Sequence, residues 1–250
     1  MMKKKAFTLV ELLVVISIIA LLMSILMPAL SKVKEGARRV ACQANLHQLA
    51  FAFDMYQRDN NGYYLSAHFY GNDRSDAIYT YKVWGGVGGT ETLAPERLLN
   101  RYIGRETKVT LGDEDKNLKV FSCPSDKGMF GSSYDGPDRL PTAFATLGTS
   151  YLYNSTANNN DPVPGLYGKK VANTKNTSEL ILAGDKTVAC YSMNWDPAHK
   201  SYWHNRDQLG WGNVIFTDYH AAYIQVQRRV RGDTTVTFQR GHGWTFIFKQ

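Results

Sequence analysis

The chain has 250 residues, of which 44% are hydrophobic and 20% are charged, and this composition excludes an intrinsically disordered chain. Its 3 cysteines are too few for a disulfide scaffold, and without a Cys-x-x-Cys pair they do not indicate a cysteine zinc module. The net charge of +7 raises nucleic-acid binding as a function. The cationic residues form no groove-sized cluster, however, and three of them are Lys3, Lys4 and Lys5. We therefore expect no nucleic-acid partner.

A charge-free apolar segment extends from Leu12 to Leu30. As a helix it is roughly 28 Å long at ~1.5 Å per residue, close to the ~30 Å hydrocarbon core of a bilayer. The direct interpretation is a membrane span. A secretory signal peptide cleaved near residues 29–31, a buried core helix and an uncleaved anchor are the alternatives.

Glu11 immediately precedes this apolar segment. A carboxylate at the centre of a membrane helix costs about 2.5–3.5 kcal/mol, and less near an end, so such a group usually has a partner. No basic residue lies in the segment itself. Cleavage between Ala6 and Phe7 would create an α-amine one helical turn from Glu11. This amine could neutralise the Glu11 carboxylate of a neighbouring copy.

The sequence Lys-Ala-Phe-Thr-Leu-Val-Glu at residues 5–11, followed by the apolar segment, resembles the class III signal of type IV pilins and type II secretion pseudopilins. Ala6 stands where this family more often has glycine. The resemblance implies that a prepilin peptidase cleaves after Ala6 and methylates the amine of Phe7. It also implies that Glu11 pairs with a neighbour's N-terminus in a filament, and that Phe7 and Glu11 are the assembly residues.

Beyond Pro28, apolar residues follow the spacing of an amphipathic helix up to a stop signal at residues 59–62. The members of this stripe include Val33, Ala37, Val40, Ala41, Ala44, Leu46, Leu49, Ala50, Phe53 and Tyr56. We predict a pilin-like α+β fold in which a long N-terminal helix, half transmembrane and half amphipathic, packs on an antiparallel β-sheet head. The predicted parts are a leader (1–6), the helix (7–60, membrane-spanning over 7–30) and the β-rich head (61–250).

Within the head, alternating and β-branched runs bounded by turn residues predict strands. A short helix is also expected at Pro95–Tyr102. The predicted strands are Lys119–Cys123, Ser150–Asn154, Leu180–Ala183, Asn213–Phe216, Ala222–Gln227, Thr234–Gln239 and Trp244–Phe248.

The resemblance extends into the head, where three segments are similar to large bacterial pseudopilin-like proteins with a processing-associated H-X9-DG domain. These segments are Cys-Gln-Ala-Asn-Leu at 42–46, Cys-Pro-Ser-Asp at 123–126 and Ala-Gly-Asp at 183–185. The C-terminal signature is degenerate, because thirteen residues separate His204 from Asp218 and Tyr219 stands where glycine is usual.

Several residues could bind a metal. His204, Asp218 and His220, with Asp185 as a fourth ligand, would suit Zn²⁺ in a metal-dependent hydrolase. The alternative for Asp218 is a structural role, capping the hairpin between Phe216 and Ala222.

A calcium ion is a further expectation, in the loop that contains Asp126, Asp135 and Asp138. The pilin resemblance favours it, since major pseudopilins often hold Ca²⁺ in a C-terminal loop. Residues 113–124 do not form an EF-hand, because position six is Leu118 and position twelve is Pro124.

Cys42 and Cys123 could form a disulfide in an oxidising periplasm, which would leave Cys190 unpaired; three free thiols are the alternative. No catalytic motif accompanies any cysteine or serine, so we do not expect an enzyme and predict no cofactor besides that calcium ion.

The predicted function is a structural subunit of a type IV pilus-like or type II secretion pseudopilus filament, with a role in protein transport. Its expected location is the bacterial inner membrane, with a single span and the head in the periplasm. The expected partners are homologous subunits, the prepilin peptidase, the assembly machinery of the inner membrane and membrane lipid. The alternative is a membrane-anchored periplasmic domain that binds a glycan or another ligand through an aromatic cluster. That cluster contains Tyr191, Trp195, Tyr202, Trp203 and Trp211. The other interpretation of these aromatic residues is that they form the head's own core and part of a subunit interface.

Overall fold

A computed structural model of the chain describes ten stretches of residues, and the structural findings concern these. They are 8–65, 84–87, 97–103, 116–128, 142–154, 166, 169–174, 177–188, 203–204 and 210–226.

The first element is a 51-residue helix, α1 (Leu9–Asp59), rich in leucine, alanine and other strong helix formers. Pro28 lies inside it and removes one backbone donor. After Asp59, Asn61 (φ 52°) and Gly62 (φ 73°) adopt the left-handed conformation. The amide of Gly62 donates to the carbonyl of Gln57 at 2.8 Å, so the backbone turns back on the last helical carbonyls and the helix ends there.

The chain forms two compact units, Met1–Arg38 and Arg39–Gln250, and we call these the N-terminal unit and the head unit. In the N-terminal unit every described residue as far as Lys34 is exposed, although most are apolar.

The head unit contains a four-stranded antiparallel sheet in the order β1-β2-β3-β4. Its strands are β1 (Tyr151–Tyr153), β2 (Ile181–Asp185), β3 (Trp211–Phe216) and β4 (Ala221–Gln225). The register pairs Leu152 with Gly184, Gly184 with Val214 and Val214 with Ala222, so one row of residues crosses all four strands. Both faces of the sheet are covered, which explains the near-continuous apolar runs in its central strands.

One face of the sheet packs against the last third of α1. Leu46, Leu49 and Phe53 are fully buried there. The ring of Phe53 stacks on Trp84 at 5.2 Å and on Tyr153 at 5.6 Å between centroids. This aromatic layer forms the centre of the larger core.

A short helix, α2 (Ala143–Leu147), lies directly before β1 and is capped at both ends. Thr142 accepts a hydrogen bond from the amide of Ala145, and Gly148 (φ 80°) closes the C-terminus. The sequence did not predict this helix, although threonine before it and glycine after it are the usual terminal signals.

The predicted α+β architecture, with a long apolar N-terminal helix and an antiparallel sheet, is confirmed. Four strands lie where the sequence placed them, within one or two residues at each end. The strand at 119–123 is wrong, because a 3-10 helix occupies Lys116–Phe121. Of the helix predicted at Pro95–Tyr102, residues 95 and 96 lie outside the described residues, and the remainder contains a 3-10 helix at Asn100–Tyr102. Thr234–Gln239 and Trp244–Phe248 lie outside the described residues.

The predicted amphipathic stripe is only half buried. Leu46, Leu49, Ala50, Phe53 and Tyr56 lie in the core as expected. Its earlier members are exposed, Val33 by 68% and Val40 by 61%, and so are the three alanines between residues 37 and 44. Among the described residues of α1, the head unit therefore buries only the part from Cys42 onward in its core.

Candidate functional site

The start of α1 is organised by a capping box between Thr8 and Glu11. The Thr8 amide and hydroxyl donate to Oε2 of Glu11 at 2.8 Å and 2.7 Å, and the Glu11 amide donates to the Thr8 hydroxyl at 3.3 Å. Threonine followed three residues later by glutamate is the sequence signature of this motif, and it marks the helix start more closely than the apolar run does. Ala6 and Phe7 lie outside the described residues.

The surface that follows the capping box is apolar and exposed. Leu9 is 79% exposed and Ile25 68%, and the large apolar residues between them are all at least 45% exposed. This helix is long and apolar enough to cross a membrane. A signal sequence or the core helix of a soluble protein can have the same length and composition. The hydroxyls of Ser17 and Ser24 donate to the carbonyls of Val14 and Leu21 within the helix, so neither needs a partner from outside.

The head unit contains a disulfide between Cys42, on α1, and Cys123, after the 3-10 helix. The sequence left this disulfide and three free thiols as alternatives. It closes a loop across a sequence separation of 81 residues and, within the head unit, joins the C-terminal part of α1 to the segment after the 3-10 helix. Cys190 lies outside the described residues.

Beside the disulfide lies a fully buried pair, His204 and Asp185, whose Nε2 and Oδ2 atoms are 3.0 Å apart. The Sγ atom of Cys123 lies 3.3 Å from the same Nε2. The backbone amide and side-chain amide of Asn213 both donate to Oδ2 of Asp185, at 2.6 Å and 3.1 Å. Burial raises the pKa of the neighbouring Tyr151 phenol well above its usual value, and the Asp185 charge adds to this shift.

The structure does not bring together the three residues of the hydrolase hypothesis. His204 is buried against Asp185, on β2. Asp218 and His220 instead pair with each other on the turn between β3 and β4, with Oδ1 and Nδ1 2.6 Å apart. The Asp218 carboxylate also accepts from the His220 amide, at 3.2 Å, which is the hairpin-capping role that the sequence offered as the alternative.

Tyr219, for which the family resemblance implies glycine, lies on the same turn. Tyr219 has a φ of 73°, in the left-handed region that favours glycine. Its hydroxyl lies 2.5 Å from Oε1 of the buried Gln57 and donates to it. Burial of the ring raises the pKa of this phenol.

Asp126, expected as a calcium ligand, already accepts four hydrogen bonds from the protein. Its Oδ1 accepts from the amides of Gly128 and Ala143, both at 2.9 Å. Its Oδ2 accepts from the Phe144 amide at 2.9 Å and from the Ser150 hydroxyl at 2.6 Å. In the structure this carboxylate thus caps α2 and joins it to β1. Asp135 and Asp138 lie outside the described residues, so the calcium site stays a prediction.

The described members of the aromatic cluster belong largely to the head's own packing. Trp203 is buried and donates its indole N–H to the carbonyl of Gly128 at 3.1 Å. Trp211 stacks on Tyr223 at 5.2 Å, and the guanidinium of Arg39 lies 4.5 Å from the Tyr223 centroid. Tyr191, Trp195 and Tyr202 lie outside the described residues. This geometry gives the glycan-binding alternative no direct support.

Comparison with known families places two matches on the chain. Residues 1–27 match the prokaryotic N-terminal methylation motif. Residues 31–213 match the family described as "Protein of unknown function (DUF1559)". No solved structure matches the chain significantly.

Two curated proteins are similar to part of the chain. The type IV wide pilus major component PilA4 of Thermus thermophilus is 43% identical over 63 residues, which are 25% of this chain and 48% of that protein. The type II secretion system core protein G of Pectobacterium carotovorum is 41% identical over 61 residues, 24% of this chain and 39% of that protein. The chain therefore spans less than half the length of each of these relatives.

Proposed function

We propose that this chain, which belongs to the family described as "Protein of unknown function (DUF1559)", is a structural subunit of a type IV pilus-like or type II secretion pseudopilus filament. One observation carries the proposal. The N-terminal methylation motif continues directly into a helix whose apolar side chains are exposed from Leu9 to Leu30. A prepilin peptidase would cleave after Ala6 and methylate the new N-terminus at Phe7.

The physical reason is that so much apolar surface cannot remain in water. A soluble monomer rarely exposes a contiguous apolar patch larger than a few hundred Å². Before assembly, the bilayer would cover this helix; after assembly, the helices of neighbouring subunits would cover it. The same surface thus serves a membrane-inserted precursor and a filament core.

Glu11 has a role that the capping box does not fulfil. The hydrogen bonds from Thr8 satisfy part of the carboxylate but carry no positive charge. In an apolar environment the remaining charge favours a cationic partner. The methylated amine of Phe7 in an adjacent subunit is the nearest such group that the processing reaction creates, and this contact would fix the axial position of one subunit on the next.

The head would face the periplasm of a bacterial inner membrane, and the disulfide between Cys42 and Cys123 suits an oxidising compartment. The expected partners are other pilin-like subunits, the prepilin peptidase and the assembly machinery. The chemistry of processing belongs to the peptidase, so we assign no catalytic step to this chain.

The decisive experiment is intact mass and N-terminal peptide mapping of the protein from cells with and without a prepilin peptidase. Loss of residues 1–6 and a single methyl group on Phe7, only when the peptidase is present, is the expected result. Retention of Met1, or cleavage near Ser31, would instead indicate an uncleaved anchor or a secreted domain.

Assembly is tested separately with Glu11→Ala. We expect normal insertion and processing but loss of filaments, whereas Glu35→Ala, which removes a carboxylate on the same helix paired with Arg38, should assemble normally. Thr8→Ala removes the cap while keeping the charge. If Thr8→Ala abolished filaments as completely as Glu11→Ala does, helix capping and not intersubunit charge pairing would explain the phenotype.

A further inference from the structure

Four potential metal ligands converge in the core of the head unit. One donor atom each of Cys42, Cys123, Asp185 and His204 lies within 4.8 Å of all the others, and all four residues are buried. They come from α1, from the segment after the 3-10 helix, from the end of β2 and from the segment that precedes β3. The fold, not a local sequence motif, therefore assembles this set.

The donor set suits zinc. Two cysteine sulfurs, an imidazole nitrogen and a carboxylate oxygen are the ligand types of four-coordinate structural zinc sites. A tetrahedral Zn²⁺ ion with standard bond lengths separates N from O by about 3.4 Å and S from N by about 3.6 Å. The corresponding distances are 3.0 Å for His204 Nε2 to Asp185 Oδ2 and 3.3 Å for Cys123 Sγ to His204 Nε2.

Neighbouring groups hold the ligands in place through hydrogen bonds, as such groups do around a bound metal ion. Asn213 donates twice to the Asp185 carboxylate, and the amide of Ser125 donates to the sulfur of Cys123 at 3.4 Å. A neutral disulfide sulfur is a weak acceptor, whereas a metal-bound thiolate is a strong one.

The buried carboxylate also has unused acceptor capacity. Neither Oδ1 of Asp185 nor Oδ1 of Asn213 has a hydrogen-bond donor among the residues that the structure describes. Leaving such groups unsatisfied in a protein core costs about 1–3 kcal/mol each, and more for a charged group. A divalent cation beside Asp185 would compensate its charge.

We propose that the dithiol form of this chain binds one Zn²⁺ ion through Cys42, Cys123, Asp185 and His204, so that the disulfide and the zinc site are alternative states of one buried centre. A dithiol reductant opens the disulfide by exchange: the reductant is oxidised to its own disulfide, and Cys42 and Cys123 take up two electrons and two protons. Zn²⁺ then displaces the two thiol protons to solvent.

The two states exclude each other for a geometric reason. A disulfide holds its sulfurs at a covalent distance of about 2.05 Å. Tetrahedral zinc holds two thiolates about 3.8 Å apart, and only thiolates bind it. The centre would thus keep the C-terminal part of α1 attached to the rest of the head unit in either redox state. This inference does not depend on the filament function.

The test uses the full chain in detergent with Cys190→Ser, so that only the two cluster thiols remain. The protein is reduced with a phosphine, which does not compete for metal as a thiol does, and is titrated anaerobically with Co²⁺ and then Zn²⁺. We expect one Co²⁺ per chain, with sulfur-to-cobalt charge transfer and the ligand-field absorption of tetrahedral Co²⁺, and displacement by Zn²⁺. The oxidised chain should give neither signal.

Matched variants separate the site from general stability. His204→Ala and Asp185→Asn each remove or weaken a ligand, and Asn213→Ala, which affects only the support of Asp185, should weaken metal binding about 10- to 100-fold. Asp218→Asn and His220→Gln change the same residue types on the exposed turn and should leave affinity unchanged. In the reduced wild-type chain, which keeps Cys190, Zn²⁺ should protect Cys42 and Cys123 from alkylation.

Circular dichroism during the titration measures whether the reduced chain is folded before and after Zn²⁺ is added. A reduced chain that folds only when Zn²⁺ is added supports the proposal. A reduced chain that folds but takes up no metal, or stays unfolded with Zn²⁺ present, overturns it. The proposal is also overturned if His204→Ala binds metal with wild-type affinity. It is overturned as well if Asp218→Asn and His220→Gln weaken metal binding as much as the variants of the four ligands do.

Discussion

The carboxylate of Asp126 joins three segments of the head unit, and its removal is the sharpest test of how the head is held together. Four donors end on it, at 2.6–2.9 Å: three backbone amides and the Ser150 hydroxyl. Two of the amides belong to the first turn of α2, whose N-terminus favours a negative charge. The substitution Asp126→Ala removes the acceptor of all four hydrogen bonds.

Hydrogen bonds to a charged acceptor contribute about 1.5–3 kcal/mol each, but the four share one carboxylate and are not additive. The site is half-buried, so water can reach some of the orphaned donors. We expect Asp126→Ala to lower the free energy of unfolding by about 3 kcal/mol. Asp126→Asn keeps one acceptor oxygen and should cost roughly half as much.

The assay is urea unfolding of the full chain in detergent, followed by tryptophan fluorescence, because Trp84 and Trp203 are buried in the head. Asp59→Ala, which removes an exposed carboxylate at the end of α1, is the control and should stay within about 0.5 kcal/mol of wild type. A loss below about 1 kcal/mol for Asp126→Ala would refute the capping argument. If a calcium chelator removed the difference between wild type and variant, the predicted calcium site would be the better explanation.

Three further predictions concern the turns and the disulfide. Tyr219→Phe should destabilise the head by about 1 kcal/mol at neutral pH, because the Gln57 acceptor loses its donor. Because burial raises the pKa of the Tyr219 phenol, its contribution is full below the unfolded pKa of about 10 and falls as the pH rises further. The difference in unfolding free energy between wild type and Tyr219→Phe should therefore be smaller at alkaline pH than at neutral pH. A difference that stays the same at both pH values would contradict this. Gly148→Ala should cost more than about 2 kcal/mol, since its Cβ would lie 1.9 Å from the Val87 carbonyl oxygen. Gly62→Ala, with a similar φ but nothing within 4 Å, should cost only about 1 kcal/mol, and thermal melts giving equal losses would count against this steric argument. Opening the disulfide in the absence of metal should cost up to about 4.5 kcal/mol by the loop-entropy relation for a separation of 81 residues. Urea midpoints with and without a phosphine reductant measure this, and an unchanged midpoint would show that the bridge adds nothing to stability.

The sequence by itself determined the long N-terminal helix of this protein. A charge-free run after Glu11 and an Asn-Asn-Gly stop at residues 60–62 are local signals, and the single long helix α1 contains the first and ends directly before the second. Helices and hairpin strands depend on periodicity and on turn residues close together in the chain, so they can be recognised without knowing what packs on them. The four strands of the sheet were found for the same reason.

Tertiary structure decided the rest. The apolar pattern at residues 118–121 is compatible with a strand or with a tight helical turn. A 3-10 helix forms because it buries Leu118, Val120 and Phe121 in the core. The amphipathic stripe on α1 is continuous in sequence, but its members are buried in the head unit's core only from Leu46 onward.

The grouping of polar residues also depended on the fold. The sequence joined His204 to Asp218 and His220, which are near it in the chain, whereas the sheet brings it to Asp185 and the disulfide. Contacts across such long separations are set by strand register and by the packing of α1 on the sheet, and no local pattern of residues encodes either one.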